Sequence, residues 1–315
     1  MQQPPKNLNE KERQSRIRKV LFYIQENLTD DLPLEKLSSI ACFSPFHFQK
    51  IFSLYVGESP KEYIIRLRFE RIAHYLKLYP DLSIDDASFQ SGFSSSSTFI
   101  RAFKKYYGTT PEGFRKLSFD EISKIGTLNP HKGKLADVEP SEFWSLNLTD
   151  GAVPGLTSGL DISVTTIRSL KVAFVDSHLG DDDAIANSFK ALARWAGPRD
   201  LISGDTQYIG IFLDMPFFTE YGKCRFRACI SCPDNVTLPK EIGSGAIPGG
   251  RYATYTFKGT TQGVFKSLIA FKHEWLEESG YEIAEITGFE IYSENPAMKP
   301  YESIQRRIFI PVKPS

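Results

Sequence analysis

The stretch Ala41-Cys-Phe-Ser-Pro-Phe-His-Phe-Gln-Lys-Ile-Phe52, closed by Gly57-Glu-Ser-Pro60, decides the architecture of this 315-residue chain because it is written twice. Its second version is Ser91-Gly-Phe-Ser-Ser-Ser-Ser-Thr-Phe-Ile-Arg-Ala-Phe103, closed by Gly108-Thr-Thr-Pro111. The spacing is 50 residues early (94 − 44) and 51 late (111 − 60), so the copies differ by one insertion. A repeat fixes element boundaries and topology together. In each copy a short apolar-periodic helix (Leu34–Ala41; Ile84–Ser91) precedes a tight turn and a second helix opened by serine, with Pro45 at the first helical position of the first copy. Gly92 is expected to supply a positive φ in its turn.

Working outward, Ile17, Val20, Leu21 and Ile24 give Ser15–Leu28 a helical period, and Lys61–Leu78 does the same with Ile64, Leu67, Ile72 and Leu76. The second of these carries Arg66, Arg68 and Arg71 and links the two units. At about 1.5 Å per residue it is long enough to hold them roughly one groove turn apart. A short helix, a turn and a second helix form the helix-turn-helix arrangement, whose second helix enters the DNA major groove. Phe48, Phe52, Phe99 and Phe103 fall on the opposite face and are read as core.

The run Leu34–Leu117, with its tandem units, the linking sequence Tyr63-Ile-Ile-Arg-Leu-Arg-Phe-Glu-Arg-Ile72 and the endings before Lys61 and before Phe114-Arg115, closely resembles the AraC/XylS-type DNA-binding domain. The resemblance implies a base-reading face on Phe46, Gln49 and Lys50 in the first recognition helix, and on Ser96, Ser97, Thr98 and Arg101 in the second. These residue types suit base reading, since Gln pairs with adenine, Lys and Arg donate to guanine, and an aromatic ring covers a thymine methyl. The three hydroxyls depart from the longer polar residues often found there, so the second helix is expected to lean on phosphate contacts. Two recognition helices in one chain remove the need for a dimer on double-stranded DNA.

Composition is that of an ordinary globular chain, 41% hydrophobic and 24% charged. No apolar run nears the roughly 18 residues of a membrane span, and the N-terminus lacks a secretory apolar segment, so a cytoplasmic protein is expected. The net charge of zero hides an asymmetry: residues 1–120 hold 18 Lys+Arg against 14 Asp+Glu, net +4, leaving 38 − 18 = 20 against 38 − 14 = 24, net −4. A basic half beside an acidic one fits a nucleic-acid-binding domain joined to a different module. The 4 cysteines, Cys229-Ile-Ser-Cys232 included, make neither a disulfide framework nor a metal set, and no metal or cofactor is expected.

Beyond a Pro-, Gly- and Ser-rich linker (118–159), whose Phe143 and Trp144 are expected to dock, a second duplication begins. Ala173, Trp195, Ile211, Phe212, Asp214, Pro216, Arg227 and Ile230 recur 80 residues later as Ala253, Trp275, Ile291, Tyr292, Glu294, Pro296, Arg307 and Ile310. Each copy reads as strand (164–177; 251–258), helix (184–196; 261–278), strand (208–214; 287–293) and strand (223–231; 304–312). Two β-α-β-β units side by side predict one antiparallel sheet with helices on one face and a concave seam at a pseudo-two-fold axis. The expected organisation is multidomain: an all-α tandem helix-turn-helix domain (1–117), the linker (118–159) and an α+β domain (160–315).

In that second domain, Gly288-Phe-Glu-Ile-Tyr-Ser-Glu-Asn-Pro296, Arg307-Ile-Phe-Ile-Pro311 and Tyr252-Ala-Thr-Tyr255 with Gly259 look like the GyrI-like small-molecule-binding fold. This resemblance implies a drug or effector sensor coupled to the DNA-binding part. Glu290 is the leading candidate, since its counterpart in the 80-residue register is Gly210. Alternation puts Glu290 and Tyr292 on one strand face, with Phe289 and Ile291 on the other. Facing the seam, Glu290 would sit among Tyr208, Phe212, Tyr255 and Tyr292, a set suited to an aromatic or cationic effector, each ring adding about 0.5–2 kcal/mol for a cation. Pattern alone favours an exposed acid on a solvated sheet face, and it is the position implied by the GyrI-like resemblance that turns the reading to ligand contact.

The expected function is a sequence-specific DNA-binding transcription regulator that answers to a small effector. Two alternatives stand beside it: a C-terminal domain that binds a protein such as RNA polymerase, and a GyrI-like domain with hydrolase activity in which Glu290 and a tyrosine act as base. No Ser/His/Asp order, HExxH or Gly-rich phosphate loop supports catalysis, so no enzyme is expected.

Overall fold

Local capping chemistry cuts the N-terminal chain into helices α1 (Glu10–Glu26), α2 (Leu34–Ile40), α3 (Pro45–Val56), α4 (Pro60–Leu78), α5 (Ile84–Gln90), α6 (Ser96–Tyr107) and α7 (Pro111–Lys116). This computed structural model describes residues 10–79, 81–117, 121–122, 160–179, 183–215, 219, 221–233, 236–239, 241–284 and 287–315. The chain divides into two compact units, Met1–Glu139 and Pro140–Ser315. Apart from Glu121 and Ile122, the linker predicted over 118–159, with Phe143 and Trp144, lies outside the described residues.

The same signals recur in both helix-turn-helix units. Ser44 accepts from the His47 amide to cap α3, Ser95 accepts from the Thr98 amide to cap α6, and Gly57 and Gly108 end these helices at φ 82° and 75°. Such a serine cap contributes about 1 kcal/mol, and the left-handed ends suit glycine because it has no Cβ. The second cap is Ser95, where a 50-residue register would pair Ser44 with Ser94, so the extra residue sits in the turn. Gly92 has the positive φ expected of it, 76°, and Cys42 takes the matching place in the first unit at 52°.

Helix α4 feeds both cores. Its Tyr63 meets Phe52 edge-on at 5.6 Å, while Phe69 stacks on Phe93 at 5.4 Å and meets Phe103 edge-on at 5.8 Å. Phe48, Phe52, Phe99 and Phe103 are fully buried, as their helical spacing predicts. Two of the α4 arginines serve the fold. Arg66 bridges Glu58 and Glu70, and Arg68 donates to the carbonyls of Leu28 (2.9 Å) and Asp30 (2.7 Å) on one side and of Gly92 (3.1 Å) on the other. One guanidinium thus ties the segment after α1 to the turn of the second helix-turn-helix. A methyl at Gly92 would come within 2.8 Å of that guanidinium, a second reason for glycine there.

The second unit is a nine-stranded antiparallel sheet: β1 (Ser163–Ile167), β2 (Leu170–His178), β3 (Tyr208–Phe212), β4 (Arg225–Ser231), β5 (Gly243–Ile247), β6 (Gly250–Phe257), β7 (Tyr281–Ile283), β8 (Phe289–Tyr292) and β9 (Arg306–Pro314). Eight strands run in the order β1-β6-β9-β8-β3-β4-β2-β5, with β7 pairing β9 separately. Helices α8 (Ala184–Ala196) and α9 (Thr261–Glu274) both pack on the side carrying Phe226, Ala228, Tyr255 and Ile308, as predicted. The strand expected over 164–177 is in fact two. Residues 163–167 pair with β6 of the other repeat, while 170–178 pair with β4 of their own and with β5, the other repeat's copy of β1 (243 − 163 = 80). Each repeat therefore crosses to its partner at one end, knitting the halves into one sheet.

Candidate DNA-reading helices and effector site

In α3, Phe46 is 83% exposed and Gln49 and Lys50 are exposed beside it, while Phe48 and Phe52 are buried on the other face. In α6, Ser97, Thr98 and Arg101 are exposed, and Ser96 is half-buried with its hydroxyl 3.4 Å from that of Ser88. The Ser95 hydroxyl donates to Thr98 Oγ1 at 2.9 Å, so the Thr98 side chain is partly engaged in its own helix cap. The two surfaces thus differ in chemistry: α3 offers a long amide, an ammonium and an aromatic ring, and α6 offers small hydroxyls ahead of one guanidinium.

The second site lies at the seam of the sheet. Strands β3 and β8 pair antiparallel with Tyr208 opposite Tyr292, Ile209 opposite Ile291 and Gly210 opposite Glu290. Only the last pair satisfies the duplication register, 290 − 210 = 80, so here a residue faces its own copy and the pseudo-two-fold axis passes between the two. The axis has room for one side chain. A Cβ added at Gly210 would lie 2.5 Å from the Tyr292 hydroxyl, 2.9 Å from Glu290 Oε1 and 3.0 Å from Phe226 Cζ.

Glu290 is 1% exposed, which removes the solvated-surface reading. Its Oε1 accepts from the hydroxyl of Tyr292, two residues on along the same strand face. The Tyr301 hydroxyl reaches both carboxylate oxygens at 3.1 Å, and Arg306 Nε lies 3.3 Å from Oε2. Arg306 is itself 1% exposed, stacked 3.9 Å over the Tyr301 ring, and donates to the carbonyls of Tyr301 (2.9 Å), Ile304 (3.1 Å) and Gly259. Burial pushes the Glu290 carboxyl above its ordinary range, while Arg306 and the phenols of Tyr292 and Tyr301 pull it back.

The expected ring partners separate. Tyr292 bonds Glu290 directly, and Tyr208 faces Tyr292 across the ladder. Phe189 of α8 meets Tyr292 edge-on at 5.3 Å and Tyr208 at 6.3 Å. The Tyr255 hydroxyl goes instead to Ser267 at 2.7 Å, and Phe212 packs between Phe226 (5.2 Å) and Phe265 (5.0 Å). Sequence reasoning missed Tyr301 and Arg306. Arg306 stands directly opposite Tyr292 in the β8–β9 ladder, a signal only once the register is known.

Two family models match the chain. Residues 37–117 match the helix-turn-helix domain family, and residues 160–313 match the GyrI-like small molecule binding domain. The chain is 30% identical over 260 residues to the transcriptional regulator Rob of Salmonella typhimurium, spanning 79% of this chain and 80% of Rob. To the regulatory protein PocR of the same organism it is 35% identical over 102 residues, 32% of this chain and a third (33%) of PocR. Among solved structures, the EcmrR C-terminal domain superposes with a TM-score of 0.39 at 15% identity, over 50% of this chain and 99% of that one. The chain belongs to the AraC family of transcription regulators. Within it, the chain is one of those in which a GyrI-like small-molecule-binding domain follows the DNA-binding helices. Among the described residues no helix is long and apolar enough to cross a membrane.

Proposed function

We propose that α3 and α6 are the two recognition helices of one chain on one asymmetric DNA site, and that the seam around Glu290 receives the effector. The domain limits that go with this reading are 1–117 for DNA binding, 118–159 for the linker and 160–315 for effector binding. The observation that carries the DNA half is the pairing of exposed Phe46, Gln49 and Lys50 with exposed Ser97, Thr98 and Arg101 at matching places on two helices whose other faces are buried. Lys50→Ala and Arg101→Ala should each weaken specific binding by about 1–3 kcal/mol and relax base preference locally, whereas Thr98→Ala should weaken all sequences alike. Binding to an operator and to random DNA, measured side by side, checks this. Equal losses on both for Arg101→Ala would show that it reads no base.

For the effector half, the support is a buried carboxylate held by two phenols on the axis of a duplicated sheet. Both of its oxygens already accept hydrogen bonds, which suits a binding group better than a general base, and we read the domain as a sensor and not a hydrolase. An effector at 100 times its Kd should stabilise the domain by about 2.7 kcal/mol. A thermal-shift screen of small aromatics on wild type and Glu290→Gln should give hits that the variant loses while its DNA binding persists. Hits retained in full by Glu290→Gln would move the site elsewhere. A second reading adds contact with RNA polymerase, and Phe89, 58% exposed on α5 and outside the base-reading sets of both recognition helices, is the surface that favours it.

A further inference from the structure

Resting on the effector-site reading above, we infer that Arg306 sets the ligand class of this seam: it selects an uncharged aromatic compound with one hydrogen-bond donor, which takes the place of the Tyr301 hydroxyl on Glu290, and it excludes cations. The carboxylate is not an unmatched anion awaiting a positive ligand. Arg306 Nε sits 3.3 Å from Oε2 at 1% exposure, and the remaining nitrogens are fixed by the carbonyls of Tyr301, Ile304 and Gly259. A guanidinium held in four directions cannot swing aside to be replaced. A cation reaching Glu290 would meet Arg306 at nearly the same distance, so attraction and repulsion offset each other while the loss of hydration is uncompensated.

The donor requirement follows from which partner can leave. Tyr292 and Arg306 lie in strands β8 and β9, each buried and locked in the ladder. Tyr301 lies in the 3₁₀ turn Tyr301–Ser303 of the β8–β9 connection and is only half-buried. Its backbone carbonyl is pinned by Arg306, so the side chain can rotate without moving the turn. When its phenol leaves, both carboxylate oxygens lose a donor, and a buried acceptor left unmet is costly. A ligand must therefore bring a donor of its own, and its ring inherits the face of Arg306 and the edge of Tyr292 that Tyr301 vacates, now 3.9 Å and 6.0 Å away.

The test uses the full-length protein and three probes of one ring size, followed by fluorescence titration and thermal shift. They are 2-naphthol (neutral, one donor), 2-methoxynaphthalene (neutral, no donor) and N-methylquinolinium (permanent cation, no donor). Wild type should bind 2-naphthol at least tenfold tighter than N-methylquinolinium, with 2-methoxynaphthalene between them. Tyr301→Phe, which keeps the ring but removes the competing phenol, should tighten 2-naphthol several-fold and leave the quinolinium unchanged. Arg306→Met should invert the order of 2-naphthol and the cation, and Arg306→Lys, which keeps the charge, should not. Should the Met variant fail to fold, the wild-type order and the Tyr301→Phe and Arg306→Lys arms still decide. Wild-type binding of the quinolinium as tight as that of 2-naphthol, at a site lost in Glu290→Gln, overturns the assignment of Arg306 while leaving the effector site standing. Binding of all three probes that Glu290→Gln does not alter, or no binding at all, removes the effector site itself and this inference with it.

Discussion

Replacing Arg66 by methionine should remove about 3–5 kcal/mol of stability from the N-terminal unit, the usual consequence of deleting one partner of a buried charge cluster. The guanidinium sits in mid-α4, 8% exposed, with Nη1 3.1 Å from both oxygens of Glu70 and Nε 2.9 Å from Glu58. It lies 5.2 Å from the centre of the Tyr63 ring, which the apolar Met side chain can still cover. Burial disfavours the positive charge, but Glu70 and Glu58 more than restore it and hold the Arg66 pKa well above its ordinary value. What the substitution leaves behind is Glu70, 6% exposed and without its cation. Urea unfolding of wild type, Arg66→Met and the triple variant Glu58→Gln/Arg66→Met/Glu70→Gln separates the two contributions. The triple variant should recover most of the loss, since apolar and neutral replacements of a whole buried cluster are close to neutral in stability. A single variant within about 0.5 kcal/mol of wild type, the range of ordinary surface changes, would show that water reaches this cluster freely.

The second large effect is expected at the axis of the sheet. Gly210→Glu restores the symmetry that the duplication implies, and it should prevent the C-terminal domain from folding. Two carboxylates would then share the single buried Arg306, and the uncompensated one alone is worth about 3–5 kcal/mol. Steric overlap with Tyr292 and Phe226 adds to this, at separations of 2.5 Å and 3.0 Å for the first atom of the new side chain. Gly210→Ala carries the steric part only, about 1–3 kcal/mol of overpacking. Gly204, which has nothing within 4 Å of an added Cβ, is the matching control and should tolerate alanine. Soluble yield and circular dichroism of the full-length variants check the order wild type ≈ Gly204→Ala > Gly210→Ala > Gly210→Glu. A soluble, cooperatively folded Gly210→Glu protein would mean that the strands splay at the seam.

What could be read in the sequence was local. Ser44 and Gly57, with Ser95 and Gly108, mark helix ends by chemistry confined to one turn, so the tandem units and their buried phenylalanines emerge from spacing alone. The sheet was legible in its repeats and less so in its edges. A break between Ile167 and Leu170 leaves alternation almost undisturbed, so β1 and β2 read as one strand. The Gly243-Ser-Gly-Ala-Ile247 run falls outside the strands read from alternation, yet it is strand β5, where Gly243 and Gly245 make room for the Phe174 ring on the neighbouring strand. The site divided in the same way. Glu290 and Tyr292 share a face because they are two apart, whereas Tyr301 and Arg306 reach the carboxylate through a turn and a neighbouring strand, and Tyr255 is drawn to Ser267 by a helix that packing places. Long-range partners of this kind depend on register, which no single-strand pattern records.

Duplication gives a protein two of everything except what stands on its axis. Arg227 and Arg307 exist as a pair, each lying over a phenylalanine of its own half, Phe174 and Phe309, at 3.8 Å and 5.6 Å. Glu290 has no twin, because the space its copy would need is the space it fills. Whatever this carboxylate holds is therefore held once per chain: a titration ends at one equivalent, and any steepness in the response to an effector has to come from encounters between chains, since the two halves of one chain share a single seat.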